Sequence, residues 1–253
     1  MDWTLQFSIL APAFVAGVLV LATHIPLGRE VLRRGIIFID LAIAQIAGLG
    51  VIAAHSFGWE VHGWETQLIA LSAALAGAWL LGWAETRLKQ QQEALIGIVF
   101  VLAATGGLLL LANNPHGGEH LRELLTGQIL WVNWPDLIPL AVLAAAYWLL
   151  AWLKPQWLPR LFARQTFYLL FALVITFAVQ VVGVYLVFAS LVIPAFAVWR
   201  EQAGSLRDAF ALGLLGYTVG IAVSAWLDLP TGASIVWFLA LAGLGYRLTG
   251  SRA

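Results

Sequence analysis

The sequence predicts an all-α protein: a polytopic bundle of eight or nine transmembrane helices, forming a single transmembrane domain over residues 1–253. Of the 253 residues, 62% are hydrophobic and 10% are charged, and the mean hydropathy is +0.90. A soluble domain carries about 25% charged residues, so this composition indicates a chain embedded in a lipid bilayer. The sequence contains no cysteine, which excludes disulfides and thiolate metal sites, and nothing in it indicates a nucleic-acid surface.

Nine apolar runs define the predicted spans, because a helix of about 20 apolar residues crosses the hydrocarbon core of a bilayer. The runs cover residues 7–25, 36–55, 66–84, 94–112, 136–153, 166–182, 183–199, 208–227 and 233–248. The segment 166–199 leaves the count open. Either two short spans meet near Gln180–Gly183, or one span precedes a partly inserted segment that Pro194 breaks.

The distribution of Lys and Arg predicts the orientation, since basic residues favour the cytoplasmic side of a membrane. With nine spans and the N-terminus outside, twelve of the thirteen basic residues lie in the cytoplasm, and only Arg122 lies outside. The same topology places four of the five histidines on the outer side: His55, His62, His116 and His120.

Asp40 is the first candidate functional residue, because its carboxylate interrupts an apolar run. If one helix continues from Arg34, Asp40 lies roughly 9 Å further along the axis, within the hydrocarbon. A charge at that depth is costly and usually faces a bundle interior or a water-filled cavity. We therefore predict that Asp40, followed five residues later by Gln45, lines a polar path for a cation. The alternative is a buried structural carboxylate.

Histidines and a glutamate on the two long outer connections form the second candidate. His116 and His120 share a face if this segment is helical, with Glu119 between them, and His62 lies on the other connection. Imidazole and carboxylate groups together suit zinc and related divalent ions. The hypothesis is a metal-recruiting patch at the outer mouth, and ordinary loop polarity is the alternative.

The third candidate is the segment that follows Pro194, a residue that interrupts helix hydrogen bonding within an apolar run. A short charged connection comes next, and it contains Arg200, Glu201 and Arg207. We predict that residues 200–207 form a cytoplasmic coupling element on which a soluble partner docks. The alternative is a kinked helix followed by a plain loop.

The fourth candidate is the turn Asp228-Leu-Pro-Thr-Gly232 on the outer side. Pro230 and Gly232 are typical of a boundary between two helices, and Asp228 is able to cap a helix or to contact a cation. The alternative is a purely structural hairpin.

Missing motifs limit the function classes. The only lysines are Lys89 and Lys154, and neither follows a glycine, so the chain has no GxxxxGK[ST] phosphate loop for ATP. It also lacks the HExxH motif of zinc proteases. Ser190 and Thr176 have no histidine or lysine in plausible reach, which argues against a membrane-embedded hydrolase.

Five segments carry a resemblance to a known family. In chain order they are VLRRGIIFIDLAIAQIAGLG, EALIGIVFVLAATGGLLLL, HLRELLTGQILWVNWPDL, VVGVYLVFASLVIPAFAVWR and LDLPTGASIV. Together they resemble the membrane subunit of bacterial zinc, manganese and iron ABC importers, the ABC-3 type metal permeases. The resemblance implies a fold like that of type II ABC importers and a transport subunit, rather than an enzyme, in the inner membrane, with no bound cofactor.

The resemblance also implies the partners. They are a second permease copy with the pathway between the two copies, cytoplasmic ATP-binding subunits that dock on residues 200–207, and an extracytoplasmic solute-binding protein that delivers the ion.

One departure from the family pattern bears on the transported ion. The family's pore helix commonly reads Asp-Ala-Leu-Ser-His, whereas this chain reads Asp40-Leu-Ala-Ile-Ala44 before Gln45. The missing histidine removes a nitrogen ligand and argues against zinc, while the outer His and Glu residues argue for it. Zinc is favoured here. Manganese, iron, a chelate such as haem or a siderophore complex, and an ion-coupled secondary carrier are the alternatives.

Overall fold

The computed structural model describes residues 3–59, 63–88, 90–112, 114, 117–199 and 205–250, with side chains for all of these except 3–8, 120 and 250. These ranges form helices and connecting turns, and they contain no β-strand. The α-helices in chain order are α1 (Trp3–Arg34), α2 (Ile39–Ser56), α3 (Trp64–Arg87), α4 (Gln92–Leu111), α5 (Gly117–Thr126), α6 (Ile138–Leu153), α7 (Leu158–Leu161), α8 (Arg164–Val182), α9 (Val184–Ala197), α10 (Leu206–Leu227) and α11 (Thr231–Gly250).

Eight stretches of the described residues are long and apolar enough to cross a membrane, in agreement with the predicted bundle. They lie in α1, α2, α3, α4, α8, α10 and α11, and in α6 together with the turn at Trp134–Leu137 that precedes it. The ninth apolar helix, α9, has 14 residues and is therefore about 21 Å long. It is separated from α8 by Gly183 alone, at φ +79°, and it is shorter than the eight candidate spans, so a ninth span at α9 is still a prediction.

The first compact unit comprises residues 1–35, 125–148 and 180–253. Within it α9 packs against α1 and α11, and α10 packs against the same two helices. Glycines permit the closest approaches. A Cβ at Gly28 would lie 2.0 Å from the backbone oxygen of Leu191, and a Cβ at Gly17 would lie 2.3 Å from the ring of Tyr217. The Tyr217 hydroxyl also hydrogen-bonds Ser190 at 2.8 Å, so one side chain ties α10 to both neighbours.

Helices α9 and α11 run in the same direction within this unit. Near one end of α11, Gly243 packs against Ala197, which ends α9. Near its other end, Gly232 approaches the backbone of Thr126, and the next residue, Gly127, lies against Gly183 at the start of α9. The corresponding ends of α9 and α11 therefore lie together, which fits the single helix α10 between them.

The second compact unit comprises residues 36–124 and 149–179. Its centre is α2, which packs against α3 and α4. A Cβ at Gly50 would lie 2.8 Å from the Cα of Ala70, so α2 and α3 are in backbone contact there. The Gln92 amide donates to the hydroxyl of Tyr168, which links α4 to α8.

The boundary between α1 and α2 differs from the expectation. Helix α1 continues past Ile25 to Arg34, and Gly35 then takes a left-handed conformation at φ +70° that ends it. Helix α2 begins only at Ile39, so Asp40 is its second residue. The expected position of Asp40, about 9 Å into a helix continuous with Arg34, is therefore wrong.

A tertiary hydrogen bond explains why α1 continues through Pro26. Proline has no N–H, so the carbonyl of Ala22 loses its helical donor. The indole Nε1–H of Trp148 supplies a replacement and donates to the Ala22 carbonyl at 3.0 Å. The carbonyl is satisfied, and the helix extends two further turns to the basic residues Arg33 and Arg34.

This arrangement predicts a specific coupling between Trp148 and Pro26. The substitution Trp148→Phe removes the indole donor and should destabilise the protein by about 1–3 kcal/mol, seen as a lower unfolding temperature in detergent. In a Pro26→Ala background, the N–H of residue 26 again reaches Ala22, so Trp148→Phe should cost clearly less. An equal loss in the two backgrounds would contradict this explanation of the continuous helix.

Candidate functional site

Asp40 is a buried carboxylate in the first turn of α2. Its side chain is 1% exposed, and neither carboxylate oxygen has a hydrogen-bond partner among the described residues. The nearest donors are the backbone N–H groups of Asp40 itself and Leu41, at the partially positive end of the helix. These donors offset part of the cost of burying a negative charge and do not neutralise it. The carboxylate is therefore free to bind a cation or a proton.

The basic residues closest in sequence to Asp40 are already paired. Arg33 and Arg34 both contact Glu30, with N–O distances of 2.7 and 2.6 Å. The three residues lie three and four positions apart on α1, so they share one helix face. In the described chain, no salt bridge neutralises Asp40, and this distinguishes it from Glu30.

The structure does not bring Asp40 and Gln45 onto one face of α2. Five residues correspond to a rotation of about 140° around a helix axis, so the two side chains point in different directions. Both are buried, with exposures of 1% and 6%. Neither side chain is therefore exposed on the surface of a single copy, where a second copy would have to meet it. The path role of each is still a prediction.

His24 on α1 is a buried ionisable residue that the sequence analysis did not select. Its side chain is 0% exposed, and its Nε2 has no hydrogen-bond partner among the described residues. The Nδ1 lies 3.0 Å from the hydroxyl of Thr23, which lies equally close to the carbonyl of Val20. A hydroxyl has one proton. If it donates to the carbonyl, Nδ1–H donates to the hydroxyl oxygen, and Nε2 carries a free lone pair suited to a metal ion.

His24 was not selected because the first span was predicted to end at residue 25, which placed His24 at its inner end. The signal that could have found it is the one that selected Asp40, an ionisable residue inside an apolar run. The structure places His24 inside the candidate span Ile9–Arg34 rather than at its end.

Only part of the predicted outer metal patch lies within the described residues. His62 and His116 lie outside them, and so does the side chain of His120. Glu119 is exposed on α5, where it takes part in an interaction with another group. No group of three or more His, Asp or Glu residues is arranged to hold a metal ion among the residues that the structure describes. The patch is therefore still a prediction.

The predicted coupling element is described only at its edges. Pro194 lies inside α9, which continues to Ala197, so the proline does not break the helix. Arg200 and Glu201 lie outside the described residues. Arg207 is exposed in the first turn of α10, two residues after the N-cap residue Ser205.

The turn after α10 has the geometry of a helical hairpin. Asp228 adopts the left-handed conformation at φ +54° and forms the C-cap of α10. The Ser224 hydroxyl donates to the carbonyl of Leu229 at 2.6 Å and closes the turn. A Cβ at Gly232 would lie 2.8 Å from the carbonyl oxygen of Thr126, which explains the glycine. Asp228 is exposed, and its predicted contact with a cation is untested.

Comparison with known families identifies the family to which this arrangement of helices belongs. Residues 6–158 and 154–247 match the model of the ABC 3 transport family. The chain belongs to the ABC 3 transport family. This confirms the resemblance seen in the sequence, and with it a permease subunit rather than an enzyme, spanning the cytoplasmic membrane several times.

Curated relatives of this ABC 3 family chain are similar over nearly their whole length. A manganese transport system membrane protein of Halalkalibacterium halodurans is 26% identical, over 93% of this chain and 85% of the relative. A high-affinity zinc uptake system membrane protein of Buchnera aphidicola is 25% identical, over 91% and 94%. A probable iron transport system membrane protein of Haemophilus influenzae is 26% identical, over 83% and 79%.

Two solved structures share the fold of this ABC 3 family chain. PsaBC from Streptococcus pneumoniae, solved with a Fab, gives a TM-score of 0.74 at 21% identity, covering 97% of this chain and 93% of that one. An inward-facing conformation of a putative metal-chelate type ABC transporter gives 0.57 at 15% identity, covering 100% and 82%. At these identities the likeness shows the fold alone.

Proposed function

We propose that this chain conducts a divalent metal ion, zinc in preference to manganese or iron, as the membrane subunit of an importer driven by ATP hydrolysis on a separate chain. The observation that carries the proposal is the buried carboxylate of Asp40, which lacks a hydrogen-bond partner among the described residues. Relatives named for manganese, zinc and iron transport systems support the class of ion.

The energetic argument for a cation starts from the cost of burial. An isolated charge inside a protein costs several kcal/mol, and a carboxylate avoids that cost by binding a cation or a proton. The partially positive N-terminus of α2 offsets a fraction of the cost of burying the Asp40 carboxylate, which keeps its charged form accessible. A transient cation ligand has to be able to exist without its ion, and Asp40 meets this requirement.

The choice between zinc and manganese depends on the type of ligand atom. Carboxylate and amide oxygens suit manganese, whereas imidazole nitrogen suits zinc. Asp40 and Gln45 offer only oxygen acceptors, so alone they favour manganese. His62, His116 and His120, which the sequence predicts on the outer side, offer imidazole nitrogens. We therefore favour zinc.

The proposed partners follow the family. We propose that two copies of the chain assemble with cytoplasmic ATP-binding subunits, which dock at the connection between α9 and α10, and with a solute-binding protein outside. Because Asp40 and Gln45 are buried in a single copy, an ion path that touches them runs within each copy or requires α2 to become exposed during transport.

The substitution Asp40→Asn tests the path directly. It preserves the shape of the side chain and removes the charge, so we expect ATP-dependent metal uptake by the reconstituted complex to fall about tenfold or more, as the loss of ~1.4 kcal/mol or more of ion binding requires. The control is Asp136→Asn, which changes an exposed carboxylate in the turn before α6. Full uptake by Asp40→Asn, in a complex that assembles normally, would remove Asp40 from the path.

Competition between metals tests the ion. The reconstituted complex should accumulate zinc in preference to manganese, iron and a metal chelate supplied together. Replacing His62, His116 and His120 together by alanine should reduce zinc uptake at limiting metal more than manganese uptake, because it removes nitrogen ligands and leaves the oxygen ligands in place. A preference for manganese in the unmodified complex would reject zinc, and uptake of the chelate alone would reject the free ion as the substrate.

A further inference from the structure

Arg247, close to the end of α11, binds the end of α9. Its Nε donates to the carbonyl of Ala197 at 3.2 Å, and its Nη2 donates to the carbonyls of Phe196 and, at 3.3 Å, Trp199. The guanidinium carbon also lies 4.4 Å from the centroid of the Phe196 ring. The last carbonyls of a helix have no donor within the helix, and a charged donor fork is well suited to satisfy several of them.

Tyr246, the preceding residue on α11, binds the start of α10. Its hydroxyl donates to Oδ2 of Asp208 at 2.7 Å. Asp208 lies in the first turn of α10, and its backbone N–H donates to the hydroxyl of the N-cap residue Ser205 at 3.3 Å. Asp208 thus joins the beginning of α10 to α11 through its side chain and to the N-cap through its backbone.

These two contacts hold both flanks of one connection. Helix α9 ends shortly before residues 200–204, and α10 begins shortly after them. Two neighbouring residues of α11 therefore bind the chain on each side of this connection. Close packing about one turn earlier on α11 supports these two contacts. A Cβ at Gly243 would lie 3.2 Å from Cγ2 of Ile193 and 3.3 Å from Cβ of Ala197, so little room separates α11 from α9.

We propose that Tyr246 and Arg247 are positioning residues that hold the two flanks, Phe196–Trp199 and Ser205–Asp208, at a fixed separation. The inference rests on the proposed function, in which an ATP-binding subunit docks at this connection. A push on either flank then moves α9, α10 and α11 together. Without the two bonds the flanks move independently, and ATP hydrolysis proceeds with less movement of the transport helices.

The flank geometry can be measured without any transported ion. The sequence has no cysteine, so a spin-label pair at Trp199→Cys and Arg207→Cys needs no removal of native thiols. In complexes assembled from labelled chains diluted with an excess of unlabelled chains, so that one copy at most carries labels, we expect one narrow distance distribution. It should broaden when Tyr246→Phe and Arg247→Gln are both present, because both flanks are released. An unchanged narrow distribution in the double variant would overturn the proposal.

The consequence for transport is tested in unlabelled complexes, as the number of metal ions imported per ATP hydrolysed. Tyr246→Phe and Arg247→Gln should each lower this ratio several-fold while the complex still assembles and hydrolyses ATP. Arg247→Lys should retain an intermediate ratio, because lysine keeps the charge but lacks the fork. The control is Thr249→Val, whose hydroxyl bonds only carbonyls of its own helix, those of Gly245 and Tyr246.

The outcomes separate this proposal from the proposed function. If the unmodified complex hydrolyses ATP and imports no metal, the proposed function fails, and the spin-label distances still decide the flank geometry. If it imports metal, and Tyr246→Phe and Arg247→Gln keep the unmodified ratio of ions to ATP, the positioning role is wrong.

Discussion

The need to compensate a buried charge is the constraint on which the rest of this structure depends. Asp40 stands at the beginning of α2 with its carboxylate almost completely buried and without a hydrogen-bond partner in the described chain. Arg33 and Arg34, its nearest cations in sequence, are engaged by Glu30. The structure thus neutralises the carboxylate of Glu30 and leaves that of Asp40 available to an ion.

Close backbone packing joins neighbouring helices within each compact unit. Gly28 lies against the backbone of Leu191, and Gly50 lies against that of Ala70, so α1 with α9 and α2 with α3 meet without intervening side chains. Packing this close leaves no space for the two helices of a pair to shift against each other, so we expect each pair to move as one body. The contacts of Tyr246 and Arg247 extend the same rigidity to the connection between α9 and α10.

The sequence was sufficient for the fold class and for most spans, because a membrane span requires a local run of about 20 apolar residues, which is visible in the sequence itself. It was insufficient at the ends of α1. The first span was expected to end at residue 25, but α1 continues through Pro26. The donor that replaces the missing N–H of this proline comes from Trp148, 126 residues away from the acceptor Ala22. Asp40 was found by its charge, whereas its position in the first turn depends on how Gly35 ends the preceding helix.

The central claim is that the transported metal binds the carboxylate of Asp40. Difference infrared spectroscopy of the permease in lipid, before and after addition of zinc or manganese, measures this directly, because metal binding shifts the stretching bands of a carboxylate. The account predicts a metal-induced carboxylate change that is absent in Asp40→Asn and retained in Asp136→Asn. The same change in Asp40→Asn would contradict it.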